Sequence, residues 1–115
     1  MPKLIYLAAP YSHPDPNVIT ERVRAIDRTA AHMFAQGHFV FSPITHCHPI
    51  HLYGLPGDYN FWQEYNKRML SHCDELCVLM LDGWGQSLGV QGEIEFAREN
   101  NKIVSYRYPI QTIPI

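Results

Sequence analysis

The order of apolar and polar positions divides the chain into short unbroken apolar blocks and longer periodic ones. Lys3 to Ala9 is an apolar run without helical gaps, ended by Pro10 and the Ser12-His13-Pro14-Asp15-Pro16 cluster. It predicts a strand buried on both faces and a loop after it. From Asn17 to Gln36 the residues Val18, Val23, Ile26, Ala30, Met33 and Phe34 recur close to helical spacing, with Arg22, Arg24, Asp27 and Arg28 between several of them. That pattern predicts an amphipathic helix, stopped by Gly37.

His38 to Ser42 predicts a second buried strand, cut off by Pro43, and a long loop rich in His, Pro and Gly from about Ile44 to Asp58. Phe61, Trp62, Tyr65, Met69 and Leu70 predict a second helix over Phe61 to His72, and Glu75 to Leu81 a third strand. Asp82 to Gln86 reads as a turn, Gly89 to Asn100 as a third helix and Lys102 to Tyr106 as a fourth strand. Strands alternating with helices imply crossover connections and a parallel sheet covered on both faces. The expected fold is α/β: a small Rossmann-like (flavodoxin-like) three-layer α/β/α sandwich with a parallel sheet of four to five strands. The apolar tail from Tyr108, with a proline near each end, is expected to pack on its own domain or on a neighbouring subunit.

Composition narrows the functional classes. With 115 residues, 46% of them apolar, the chain is one domain, 1–115, able to bury a core without metal or disulfide staples. Nine Lys+Arg against eleven Asp+Glu leave a net charge of -2 and no basic footprint, which argues against a nucleic-acid polymer or an anionic membrane surface as partner. Cys47, Cys73 and Cys77 have no disulfide-like spacing, and the start of the chain lacks the pattern of a signal peptide, so a reduced, cytoplasmic protein is expected. No window approaches the roughly 20 apolar residues of a membrane span.

In such sheets ligands bind beyond the carboxyl ends of the strands, which singles out the segments following each strand. On the third helix, at about 100° per residue from Val90, Glu93 falls at about 300°, between Phe96 at about 240° and Ala97 at about 340°. Glu95 and Glu99 fall on the solvent side. Two readings of Glu93 stand open: an N-terminal helix glutamate that turns outward or caps the backbone, or a site carboxylate kept ionised with help from the helix dipole. Gly89 and Gly92 allow a ligand close to the backbone. Tyr6, near the end of the first strand, needs a partner for its hydroxyl, either structural or a site carboxylate. His46, Cys47, His48 and His51 have spacings that resemble metal ligation. A transition-metal site needs three or four converging ligands, and no second cluster completes the set, so no metal and no cofactor is expected. Neutral imidazoles beside a pocket suit hydrogen bonding and stacking with a heteroaromatic base.

Two stretches resemble the nucleoside 2-deoxyribosyltransferase superfamily: Ile5-Tyr6-Leu7-Ala8-Ala9-Pro10-Tyr11-Ser12, and Cys73-Asp74-Glu75-Leu76 leading through Ser87-Leu88-Gly89-Val90-Gln91-Gly92-Glu93 to Ala97. Its members include nucleoside 5′-monophosphate N-glycosidases. Phe41 to His46 and Leu81 to Trp84 resemble a bacterial and phage branch of it, and the resemblance runs from about Lys3 to Tyr106.

The resemblance implies that Glu93 is a nucleophile that attacks C1′ of the sugar and leaves a covalent glycosyl-enzyme, resolved by water or by another base. It implies that Tyr6 orients that carboxylate. Ser87 stands where free-nucleoside transferases have an aspartate and monophosphate hydrolases a serine, which implies a (deoxy)nucleoside 5′-monophosphate substrate. Ser87, Ser12 and His13 are expected around the phosphate with Arg22 as the cation, while His46, His48 and Gly89 complete the substrate contacts. The first-loop serine and arginine of the family are Pro10 and Ser12 here. Asn66 stands where many relatives have an aspartate that contacts the leaving base; an amide can hydrogen-bond a base edge but cannot deliver a proton. Asp58, Glu64 or a loop histidine are the candidates to replace it, and Asp74 is expected to be structural. The expected assembly is a homo-oligomer, dimer or tetramer. Two other readings remain: a non-catalytic nucleotide-binding module, and a metallohydrolase built on His46, His48 and His51.

Overall fold

A computed structural model describes residues 2–110; the part of the apolar tail after Ile110 lies outside them. Among the described residues four strands form one parallel sheet: β1 (Leu4–Ala8), β2 (Phe39–Phe41), β3 (Glu75–Leu79) and β4 (Ile103–Arg107). Their order is β2-β1-β3-β4. The helices are α1 (Pro16–Ala35), α2 (Pro43–His51), α3 (Tyr59–Ser71) and α4 (Leu88–Glu99), with a short 3-10 turn over Trp84–Gln86.

Period-two alternation in β1 separates two cores. Ile5, Leu7 and Ala9 meet Ile26, Ala30 and Met33 of α1 together with Cys77 and Leu79 of β3. Tyr6 and Ala8 face the other way, onto Leu70 of α3 and Val90, Ile94 and Ala97 of α4. The fold is therefore the expected three-layer α/β/α sandwich. Asp74 acts structurally: its carboxylate accepts from the Leu4 amide at 2.8 Å, pinning the start of β1 to the start of β3. Cys47, Cys73 and Cys77 are all free and buried. Among the described residues no helix is long and apolar enough to cross a membrane.

Two expectations are corrected. The strand after Gly37 is not buried: among the described residues β2 lies at the edge of the sheet, paired only with β1, and Phe39 is 49% exposed. The segment after it is not a loop up to Asp58, because residues 43–51 form α2. Ser42-Pro43 starts it, the proline at the first helical position where its missing N–H costs nothing. Pro49 inside the helix, together with its histidine-rich composition, hides it from a periodicity reading.

Candidate active site

The chain leaves β1 toward α1 on one face and β3 toward α4 on the other, so the loops after these neighbouring strands diverge and open a crevice between them. A cavity of about 520 Å3 lies there, within the range of small-molecule sites. Its walls come from the segment after β1 (Ala9 to Ser12), from α2, from the start of α3 and from the turn leading into α4.

Glu93 lines this cavity although it is only 6% exposed. Its azimuth on α4 turns it toward the sheet, and the Tyr6 hydroxyl, fully buried on β1, donates to its Oε2. Glu95 and Glu99 are exposed, as their azimuths require. Glu93 therefore neither turns outward nor caps the backbone: it is buried, its hydrogen bond comes from Tyr6, and the cap of α4 is Ser87. The expected help from the helix dipole does not dominate. Burial pushes the Glu93 carboxyl up to about 7, opposed only in part by the Tyr6 hydrogen bond. Glu93 is the sixth residue of α4, beyond the first turn where the dipole acts. Tyr6 itself is held well above the usual phenol range, by burial first and by the neighbouring carboxylate second, so it remains a donor.

Ser87 is the N-cap of α4, its Oγ accepting from the Val90 amide at 3.2 Å. That leaves its hydroxyl proton free to donate into the cavity it lines. Arg22 reaches the same cavity from α1, donating to the carbonyls of Ser12 at 2.8 Å and Asp82 at 3.0 Å. Both partners are neutral, so the guanidinium charge is not cancelled by a carboxylate among the described residues. Gly83, at φ +91°, supplies the left-handed backbone beside this guanidinium, where a Cβ would meet Arg22 Nη2 at 3.0 Å. Asn66 on α3 also lines the cavity, and its Oδ1 is buried without any hydrogen-bond partner. Such an orphaned acceptor is uncommon and marks a place for a ligand donor or a water.

Ser12, Gly89 and His48 line the cavity, and Asp58 does as well. Two of the expected substrate contacts do not. His13 faces a separate shallow groove beside Asn17 and Glu21, and its Nδ1 accepts from the Asp15 amide at 3.0 Å within the turn that caps α1. His46 is exposed and stacks on Tyr65 with ring centroids 6.4 Å apart. The reason is helical geometry: in α2, residues i and i+2 point about 200° apart, while i and i+3 share a side. His48 and His51 therefore come together, and His46 cannot join them. Among the described residues, no three His, Cys, Asp or Glu side chains converge as metal ligands would. Glu64 is exposed and away from the cavity wall.

Two residues of the site were not singled out by sequence reasoning. Tyr11 hydrogen-bonds both His48 and His51, and its position directly after Pro10 at the end of β1 was the available signal. Tyr59, at the start of α3, lies over Gly89 and Gly92, where a Cβ on Gly92 would overlap its hydroxyl. The glycine pair admits a tyrosine of the same chain as well as a ligand.

The fold and site together define a doubly wound α/β domain with a small-molecule cavity built around one buried carboxylate. Residues 3–108 match the family described as a domain of unknown function, DUF1937, and the chain belongs to that family. No curated protein matches the chain.

Proposed function

We propose that this protein cleaves the N-glycosidic bond of a nucleoside or deoxynucleoside 5′-monophosphate, with Glu93 as nucleophile. The observation that carries the reading is the buried Glu93 carboxyl, held by Tyr6 at the cavity wall, with only Oε2 engaged among the described residues. Once ionised, Glu93 attacks C1′ with the free oxygen. The C1′–N bond breaks, its electrons leave with the base, and a glycosyl ester forms on Glu93. Tyr6 holds the carboxylate in line throughout. Asn66 Oδ1, unpartnered in the cavity wall, accepts from the base edge. Arg22, Ser12 and the Ser87 hydroxyl receive the 5′-phosphate at the mouth of α4. Water or a second base then releases the sugar.

The sequence resemblance to deoxyribosyltransferases supports the same reading, since it assigns Glu93 and Tyr6 the roles that their burial and hydrogen bond suit. Three buried free thiols fit a reducing cytoplasm. A homo-oligomer, dimer or tetramer, belongs to the proposal as well: Leu88 lines the cavity yet is 79% exposed, apolar surface that a second subunit would cover. Asn66 favours one alternative, a module that binds nucleotides without cleaving them, because its amide cannot protonate a leaving base. Incubation with a panel of nucleoside monophosphates and the matching nucleosides, followed by chromatography for free base, separates the two. Base release from the monophosphates supports the glycosidase, and saturable binding with no release over hours supports the module.

A further inference from the structure

A hydrogen-bonded chain of three side chains lines the cavity wall and takes no part in holding Glu93. Tyr11 Oη lies 2.6 Å from His48 Nδ1 and 2.8 Å from His51 Nε2. His51 Nδ1 in turn lies 3.3 Å from the carbonyl oxygen of Leu55. These contacts fix the protons. A carbonyl oxygen only accepts, so His51 Nδ1 carries a hydrogen and, in the neutral ring, Nε2 is bare. Tyr11 has one proton, which it must donate to that bare nitrogen. Its oxygen is then the acceptor for His48, so the proton of the neutral His48 ring sits on Nδ1 and the lone pair is left on Nε2.

The surroundings hold this arrangement. Trp62 Nε1 donates to the carbonyl of Pro56 at 2.7 Å, tying the segment that carries the Leu55 carbonyl to α3. The ring of His51 packs on Gly57, where a Cβ would come within 3.1 Å of it. Burial, and then the neighbouring His51, push the His48 imidazole below its usual range, with Asp27 of α1 opposing. Burial and His51 both favour the neutral His48 ring, whose open Nε2 is free to accept a proton.

We propose that His48, Tyr11 and His51 form a proton relay whose receiving atom is His48 Nε2, and that His48 is the base that activates the water resolving the glycosyl ester on Glu93. The second role rests on the glycosidase reading; the relay does not. Water gives a proton to His48 Nε2 as its oxygen bonds to C1′, and the C1′–Oε bond breaks with its electron pair returning to Glu93. The Nδ1 proton of His48 passes to Tyr11 Oη while the tyrosine proton passes to His51 Nε2. The positive charge comes to rest on His51, whose Nδ1–H already faces the Leu55 carbonyl, and one proton has moved without a net change of atoms. His48 is the catalytic residue in this scheme, and Tyr11 and His51 are positioning residues.

Two measurements on the full-length protein test it. Two-bond proton–nitrogen correlation spectra at neutral pH read the tautomers: both His48 and His51 are expected as Nδ1–H, with the His48 preference lost in Tyr11→Phe. An Nε2–H form of either ring in the wild type overturns the relay. In turnover, His48→Gln is expected to slow sugar release by about 100-fold or more and to accumulate the glycosyl adduct. Azide attacks without giving up a proton, so it should restore turnover in that variant as the glycosyl azide. Tyr11→Phe, which keeps His48, should shift the pH profile of sugar release. Unchanged release in His48→Gln, or slowed release that azide does not restore, overturns the base role. If the wild type releases no base at all, the glycosidase reading fails and the base role with it, while the tautomers still decide the relay.

Discussion

Replacing Glu93 by glutamine should make the protein more stable at neutral pH and inactive at every pH. The carboxyl titrates near 4.5 in an unfolded chain and at about 7 when buried in α4. A group whose folded pKa is raised leaves stability intact below the unfolded value, and stability is lost as pH rises through the folded value. For Glu93 the loss begins near pH 4.5 and levels off above about 7, because ionising the buried group costs more than ionising it in water. The interval of about 2.5 pH units is worth about 3 kcal/mol at 1.36 kcal/mol per unit. Glutamine keeps an oxygen for the Tyr6 hydroxyl and has nothing to ionise.

Urea unfolding of both proteins from pH 4 to pH 8.5 reads the effect, since all other titrations cancel in the difference. The variant should gain about 3 kcal/mol relative to wild type across that span, a relative midpoint shift on the order of 1 to 3 M urea at common m values. A constant offset from imperfect packing of the amide does not alter that slope. Stability curves that run parallel with pH would refute the account of how Glu93 is held.

Base release should rise with pH through about 7 as Glu93 ionises, falling about tenfold per unit well below it, and Tyr6→Phe should move this limb upward by removing the hydrogen bond that favours the carboxylate; pH–rate profiles of the two proteins check both. Ser87→Asp preserves an N-cap acceptor for the Val90 amide but places a negative charge beside the phosphate, so thermal stability should hold while kcat/KM for monophosphates drops roughly 100-fold relative to free nucleosides. Gly92→Ala drives a methyl into the Tyr59 hydroxyl and should cost about 1 to 3 kcal/mol in denaturant unfolding, with Tyr59→Phe in the same chain recovering part of it.

What the sequence makes legible follows from how local each determinant is. Tyr6 and Glu93 are each legible as needing a polar partner, because one lies in an apolar strand and the other in the apolar arc of a helix; that they partner each other is what the family resemblance implies. Their meeting requires only that α4 pack on the face of β1 that carries Tyr6. The raised ionisation of Glu93 is not local: it depends on how completely tertiary packing removes water, which outweighs a dipole legible from the sequence. The histidine segment misleads for a related reason. Pro49 and the scarcity of strong helix formers conceal α2, and a one-element error there changes which imidazoles face each other. Read as a loop, His46 and His48 belong together; on a helix, His48 and His51 do, with Tyr11 between them. The edge position of β2 depends on pairing rather than on composition, so Phe39 looks like a core residue until its missing neighbour is seen.

If Glu93 attacks C1′ as proposed, it becomes covalently bonded to the sugar during turnover. Acid quenching during turnover of a nucleoside 5′-monophosphate that releases base, followed by intact-mass and peptide analysis, tests it most directly. An added pentose phosphate is expected on the peptide containing Glu93, and none in Glu93→Gln. Rapid base release with the chain unmodified, an adduct on another residue, or undiminished turnover in Glu93→Gln would contradict it.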